Sequence, residues 1–66
     1  MSTSKSIKIA MIHANINQKE LSELSGISQT TISQTLSGKS KPNARTLSKL
    51  AGAMSISYSE LIKLGE

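Results

Sequence analysis

Apolar residues recur at helical spacing along most of this chain, and no segment shows the alternation that is typical of strands. Two segments, roughly residues 5–15 and 44–54, each place apolar residues at positions i, i+3, i+4 and i+7. These are Ile7, Ala10, Met11 and Ala14 in the first segment, and Leu47, Leu50, Ala51 and Met54 in the second. Because residues at this spacing share one side of a helix, the pattern predicts two helices that face a common core.

The segment 17–37, NQKELSELSGISQTTISQTLS, has the pattern of two short helices joined by a tight turn. Asn17 and Glu20 have the spacing of a capping box, which predicts that the first of these helices begins at about residue 18. Leu21 and Leu24 are expected to form its buried face.

A turn is predicted around Gly26, since glycine accepts the left-handed backbone of a helix end without steric cost. Ile27 follows as an apolar residue that can pack inward, and Ser28 is a good N-cap for the next helix. The sequence therefore predicts helices at about 18–25 and 29–36.

Two further caps complete the prediction. Asn43 precedes the helix at 44–54, and Ser57 with Glu60 forms a second capping box that opens a short helix carrying Leu61, Ile62 and Leu64. We therefore expect an all-α fold in which residues 1–66 form one compact five-helix domain.

The outer face of the predicted third helix is polar but carries no charge. Ile32 and Leu36 lie one turn apart and are expected to face inward. Four amide and hydroxyl side chains then point outward: Gln29, Thr30, Ser33 and Gln34. Such a face packs poorly and is suited to reading base edges in a major groove.

The positive charge is concentrated just after this helix. The formal net charge is +4, and residues 24–59 contain no acidic residue. The cations of that segment are Lys39, Lys41, Arg45 and Lys49. They favour contact with a phosphate backbone, although a solvated polar surface would have the same composition.

The remaining composition argues against catalysis and against a metal site or cofactor. The 66 residues contain no Cys and no Asp, and His13 is the only histidine. No carboxylate lies at helical spacing from His13, so we interpret it as a surface or boundary residue and not as a general base. The absence of cysteine, of a signal peptide and of a long apolar run indicates a cytoplasmic protein.

The segment 17–37 resembles the helix-turn-helix of the Cro and phage-repressor family, also called Xre-like. The matching residues are Gln18, Glu20, Leu21, Ser22, Gly26, Ile27, Ser28 and Ile32, in the family's order. Residues 36–42 and 46–54 resemble the following loop and fourth helix, so the likeness covers nearly the whole chain. It implies a lambda-repressor-like domain that binds double-stranded DNA sequence-specifically as a transcriptional regulator.

The resemblance also implies roles for individual residues. Bases would be read by Gln29, Thr30, Ser33 and Gln34. Phosphates would be contacted by Asn17, Gln18, Ser28, Ser37, Lys39 and Lys41, to which the acid-free segment adds Arg45. A homodimer on a two-fold operator would use Ile56, Tyr58, Leu61 and Leu64, because the fifth helix has more apolar residues than a monomer needs.

The chain departs from the family pattern at several places, which include Ser55, where relatives prefer glycine after the fourth helix. Ser22 is the small residue that the family has at this position, but alanine is usual there, and we expect the serine hydroxyl to bond a carbonyl one turn back. Thr35 replaces a large apolar residue, which predicts thinner packing there. Met11 and Leu36 occupy the positions of an Arg–Glu pair found in many phage repressors. An apolar pair keeps that contact without its charges.

A stand-alone Cro-like repressor fits the length best. A restriction-modification controller, a DNA-binding antitoxin or the N-terminal domain of a longer repressor would share the fold. A protein-interaction module without DNA binding is the alternative from another class. The uncharged face of the third helix and the basic loop after it, residues 37–41, argue against this alternative.

Overall fold

Five α-helices follow one another along residues 3–65, the part of the chain that the computed structural model describes. The helices are α1 (Thr3–Ala14), α2 (Gln18–Ser25), α3 (Gln29–Leu36), α4 (Ala44–Ala53) and α5 (Tyr58–Leu64). No strand occurs among these residues, so the predicted all-α fold is confirmed. None of the helices in this range has the length and apolar character required to cross a lipid bilayer.

The predicted N-caps of α2 to α5 are all present. In each, the side chain of the cap residue accepts a hydrogen bond from the backbone N–H three residues later. The cap residues are Asn17, Ser28, Asn43 and Ser57. At α2 and α5 the glutamate at the third position also accepts from the N–H of the cap residue, so both predicted capping boxes are confirmed.

Residues with a left-handed backbone conformation follow several of the helices. Gly26 after α2 has φ 77°, and Gly38 after α3 has φ 82°. Asn15 and Ser55 adopt the same region with φ 56° and 60°, where glycine would be less strained. Ser55 therefore carries a small local cost at the end of α4.

All five helices contribute to one apolar core. Its buried members are Ile7, Ala10, Leu21, Ile32, Leu47, Leu50, Ala51, Met54 and Leu61. The predicted stripe of α4 is buried along its whole length, and that of α1 is buried at Ile7 and Ala10 and half-buried at Met11 and Ala14. Helix α3 packs on α1 and α2, while α2 also packs on α4, so the pair α2–α3 is supported from two sides.

The prediction that Leu24 is buried is wrong, because its side chain is 63% exposed. Helix α2 turns a narrow face inward, formed by the buried Leu21 and the half-buried Ser22 and Ser25. At about 100° per residue, Leu24 lies on the side of Leu21 that faces away from both serines. The apolar spacing therefore predicted burial correctly for Leu21 but not for Leu24.

The unusual residues at the α1–α3 contact are accommodated without an unpaired polar group. Thr35 is 2% exposed, and its hydroxyl donates to the carbonyl of Thr31 over 2.9 Å. Met11 and Leu36 are half-buried, pack on the core and line the same groove. The two side chains thus form an apolar pair at the positions where the resemblance led us to expect one.

Gly52→Ala is expected to stabilise the domain by about 0.5–1 kcal/mol, because glycine in a helix interior loses more backbone entropy on folding than alanine. Gly52 is exposed on α4, and an added Cβ would meet no atom within 4 Å. Thermal denaturation followed by circular dichroism measures the change. Gly38→Ala is the control and should lower the melting temperature, since its φ is 82°. Equal effects of the two substitutions would contradict this assignment of backbone strain.

Candidate nucleic-acid interface

The outer face of α3 presents four polar side chains to solvent. Gln29, Thr30, Ser33 and Gln34 are all exposed, whereas Ile32 and Thr35 on the opposite side are 1% and 2% exposed. Among residues 3–65, no hydrogen bond engages these four side chains. We call them the α3 strip. Their amide and hydroxyl groups are available to an external partner.

The basic loop follows the α3 strip in the sequence and also stays close to it, because the chain turns sharply at Gly38 after α3. The backbone N–H groups of Lys39 and Ser40 both donate to the carbonyl of Gln34, over 2.9 and 3.3 Å. The loop is thereby held against the last turn of α3. Lys39, Lys41 and Arg45 are exposed. The loop that carries Lys39 and Lys41 is therefore held at the C-terminal end of the α3 strip, and Arg45 follows near the start of α4.

The N-terminus of α2 provides a second set of outward donors. Asn17 accepts from Glu20 N through its side-chain oxygen over 2.8 Å, which leaves its Nδ2 group free of the cap. Gln18 is exposed. Its backbone N–H and that of Lys19 lie in the first turn, where an α-helix has no internal acceptor for them. Helix starts of this kind favour anions.

Two predicted phosphate contacts already use their hydroxyl protons inside the protein. Ser28 Oγ donates to Thr31 Oγ1 over 2.9 Å, and Ser37 Oγ donates to the carbonyl of Gln34 over 3.0 Å. Either hydroxyl would have to rotate in order to donate to a phosphate. The sequence contained no signal for these bonds beyond the general tendency of serine to bond nearby backbone.

The hydroxyl of Ser22 has a different partner from the one predicted. It donates to the carbonyl of Ile27 across the turn, over 2.6 Å, and not to a carbonyl one turn back in α2. Ser25 Oγ accepts from the N–H of Ile27 over 3.1 Å. The left-handed Gly26 reverses the chain so that Ile27 returns to the side of α2 that carries both serines.

The four residues predicted for a dimer surface do not share one environment. Leu61 is 0% exposed and belongs to the core, so its assignment to a surface is wrong. Ile56 and Leu64 are half-buried and line a cleft between α1 and α5, and Tyr58 is 41% exposed at the start of α5.

His13 and Glu60 both line this cleft, which the sequence did not reveal because they lie on different helices. His13 is exposed, as expected for a surface residue. Glu60 is engaged by the N–H of Ser57 over 3.2 Å. Within residues 3–65, no three histidine or acidic side chains are grouped as a metal site would require.

The arrangement can therefore bind a polyanion and form specific hydrogen bonds with groups exposed along one of its edges. An uncharged strip of hydrogen-bonding groups lies on the exposed face of α3, and the basic loop with the exposed Lys39 and Lys41 follows it. Residues 24–59, which include the whole of α3 and this loop, have no acidic residue to oppose the field. Hydrogen bonding by the strip and neutralisation by the loop are the two functions that double-stranded DNA recognition requires.

Comparison with known proteins agrees with this geometry. A family model described as helix-turn-helix matches residues 7–61, which include all of α2, α3 and α4 and most of the remaining helices. No curated protein and no solved structure matches the chain significantly. The family match extends over well more than half of the sequence and coincides with the observed helices. The chain belongs to the Cro/Xre-like helix-turn-helix family of DNA-binding regulators.

Proposed function

We propose that this protein is a sequence-specific, Cro-like repressor that binds a two-fold DNA operator as a homodimer. The observation that carries the proposal is the α3 strip, whose four exposed side chains have no internal hydrogen-bond partner in residues 3–65 and lie beside a cationic loop. Helix α3 would lie in the major groove, with the strip against base edges. Such a regulator would act in the cytoplasm, where operator DNA is found.

The side chains of the strip suit this role chemically. The amides of Gln29 and Gln34 can form bidentate bonds with adenine, and the methyl group of Thr30 can contact a thymine methyl. Ser33 can donate to or accept from any base edge. Discrimination arises because a wrong base leaves these groups without a partner, whereas phosphate contacts are the same for every sequence.

Phosphate contact is assigned to the groups that border the strip. Lys39, Lys41 and Arg45 would neutralise one stretch of backbone, while Asn17 and Gln18 at the start of α2 would donate to another. Ser28 and Ser37 join them only if their hydroxyls leave the bonds that they form inside the protein. The two stretches would fix the position of α3 along the groove.

Lys41→Ala is expected to weaken binding to preferred and random DNA by similar factors. The slope of log K against log salt should fall by about one unit, since each lost phosphate contact releases about one counterion fewer. Fluorescence anisotropy over a salt series measures both quantities. Lys63→Ala is the matched control, because Lys63 is an exposed lysine on α5, outside the acid-free segment. If Lys63→Ala changes the slope as much as Lys41→Ala, the loop has no special role.

The proposed dimer surface lies along the edge of α5. It does not include Leu61, because that side chain belongs to the core. Ile56 and Leu64 are half-buried beside the exposed Tyr58, which is the only aromatic residue of the chain. A tyrosine can bury a large apolar ring at little cost in side-chain entropy. A second copy of the chain packed on this edge would cover the ring and two aliphatic side chains that solvent still reaches.

Tyr58→Lys is expected to shift the protein from dimer to monomer while leaving it folded. The fold should tolerate lysine because the Tyr58 side chain is 41% exposed. The dimer should not, because a two-fold interface would bring the lysine of one copy close to the same lysine of the other. Sedimentation velocity measures the association state, and operator binding should become weaker. Ser59→Lys places the same charge at the neighbouring exposed position and should change association less. A dimer that is unaffected by Tyr58→Lys would move the interface elsewhere.

A restriction-modification controller or a DNA-binding antitoxin would use the same interface. Its variants would therefore be expected to bind preferred and random DNA in the same way as those of a repressor. A module that binds only protein predicts no DNA binding at low salt. The unpaired polar groups of the α3 strip favour the DNA-binding readings.

A further inference from the structure

The turn between α2 and α3 is held at its central residue by two serine side chains of α2. Ser22 Oγ donates to the carbonyl of Ile27 over 2.6 Å, and Ser25 Oγ accepts from the N–H of Ile27 over 3.1 Å. Both backbone polar groups of Ile27 are thus satisfied by side chains of the preceding helix. We call Ser22, Ser25 and Ile27 the turn clamp.

These two bonds orient the two peptide planes on either side of Ile27. The N–H of Ile27 belongs to the plane shared with Gly26, and its carbonyl belongs to the plane shared with Ser28. Because peptide units are planar, a hydrogen bond to one atom of a unit orients the whole unit. Ser28 is the N-cap of α3. The bond from Ser22 therefore acts on the peptide unit through which the chain enters α3.

A third anchor restricts the same residue. The side chain of Ile27 is half-buried and packs against the core. Ser22 also accepts the N–H of Gly26 through its backbone carbonyl over 2.9 Å, so this serine contacts two successive turn residues. Since Ile27 is fixed by its side chain and by both backbone groups, the turn has little freedom to change the angle between α2 and α3.

We propose that Ser22 and Ser25 are positioning residues for DNA recognition, which hold α3 at one angle to α2. The inference rests on the proposed function. Phosphate donors lie at the start of α2 and base-reading amides on α3, with the clamp between them. Both sets can engage one DNA site only if the angle is constant, since amide bonds to bases weaken steeply when distance or direction changes. Binding to random DNA depends on charge and not on this angle.

The test compares Ser22→Ala, Ser25→Ala and the double variant on preferred and random DNA of equal length. Each lost bond should reduce the ratio of preferred to random affinity by roughly three- to tenfold, the effect of one hydrogen bond. Affinity for random DNA should stay within about twofold of the wild type, because every cation remains. Hydrogen exchange should become faster at the Ile27 amide of Ser25→Ala, where its acceptor is lost.

Ser22→Thr keeps a hydroxyl at the same position and should restore most of the lost ratio. Ser48→Ala is the matched control, since Ser48 is exposed on α4 and forms no hydrogen bond through its side chain within residues 3–65. Its ratio should equal that of the wild type. If the double variant is too unstable to measure, the two single variants, which each keep one of the bonds, decide the question.

An unchanged ratio in both single variants would overturn the positioning role and leave the proposed function standing. Loss of affinity for random DNA in the same proportion would also overturn it, since the serines would then support the fold in general. A wild-type protein without any sequence preference would overturn the proposed function together with this inference.

Discussion

Leu61→Lys is expected to leave most of the protein unfolded at 25 °C. Leu61 is 0% exposed, and α5 packs on both α1 and α4. Removing a buried leucine costs about 2–5 kcal/mol, and an ammonium group without a partner adds to that cost. A chain of this size has about 3–10 kcal/mol of stability in total. Far-ultraviolet circular dichroism should show loss of helical signal.

Two matched variants make this result specific to burial. Leu24→Lys introduces the same residue on α2, where the side chain is 63% exposed, and should change stability by less than about 0.5 kcal/mol. Leu61→Met keeps the apolar volume and should cost less than about 1.5 kcal/mol. A folded, monomeric Leu61→Lys protein would contradict the assignment of Leu61 to the core and return it to the proposed dimer surface.

Gln34→Ala is expected to cost about 1–3 kcal/mol on the preferred DNA site and almost nothing on random DNA. The side chain is exposed on α3 and has no hydrogen bond within residues 3–65, so its loss should not disturb the fold. Gln34 is hydrogen-bonded to the basic loop through its backbone carbonyl and not through its side chain, and alanine preserves that carbonyl. The salt dependence should stay unchanged, because no charge is removed.

Gln18→Ala provides the comparison, since it makes the same substitution at a proposed phosphate contact on α2. It should weaken preferred and random DNA equally. The measurement is a titration of both variants against both DNAs at several salt concentrations. Equal losses for Gln34→Ala on the two DNAs would mean that α3 does not read bases, although the helix-turn-helix fold would remain.

Local chemistry made the helices predictable from the sequence. A cap is decided by a side chain and an N–H three residues away, so Asn17, Ser28, Asn43 and Ser57 could be assigned without knowledge of the fold. The stripe of α4 was equally clear, because it repeats the helical period over about two turns. The outward direction of the α3 strip followed from that same period.

Features that depend on how helices meet could not be predicted in the same way. Leu24 and Leu61 are both apolar residues on short amphipathic helices, yet one is exposed and the other is buried. Their difference in burial depends on which helices α2 and α5 pack against. The spacing of apolar residues along a single helix does not give that information. The partner of Ser22 was missed for the same reason, since its acceptor lies beyond the left-handed turn at Gly26.

We propose above all that α3 reads a specific sequence while flanking groups hold the DNA backbone. Selection of bound sites from a pool of random double-stranded DNA, followed by sequencing, tests it most directly. We predict enrichment of a two-fold symmetric site whose half-sites are centred about 10 base pairs apart, one helical turn. Bound DNA that shows no common sequence after repeated rounds would contradict the claim.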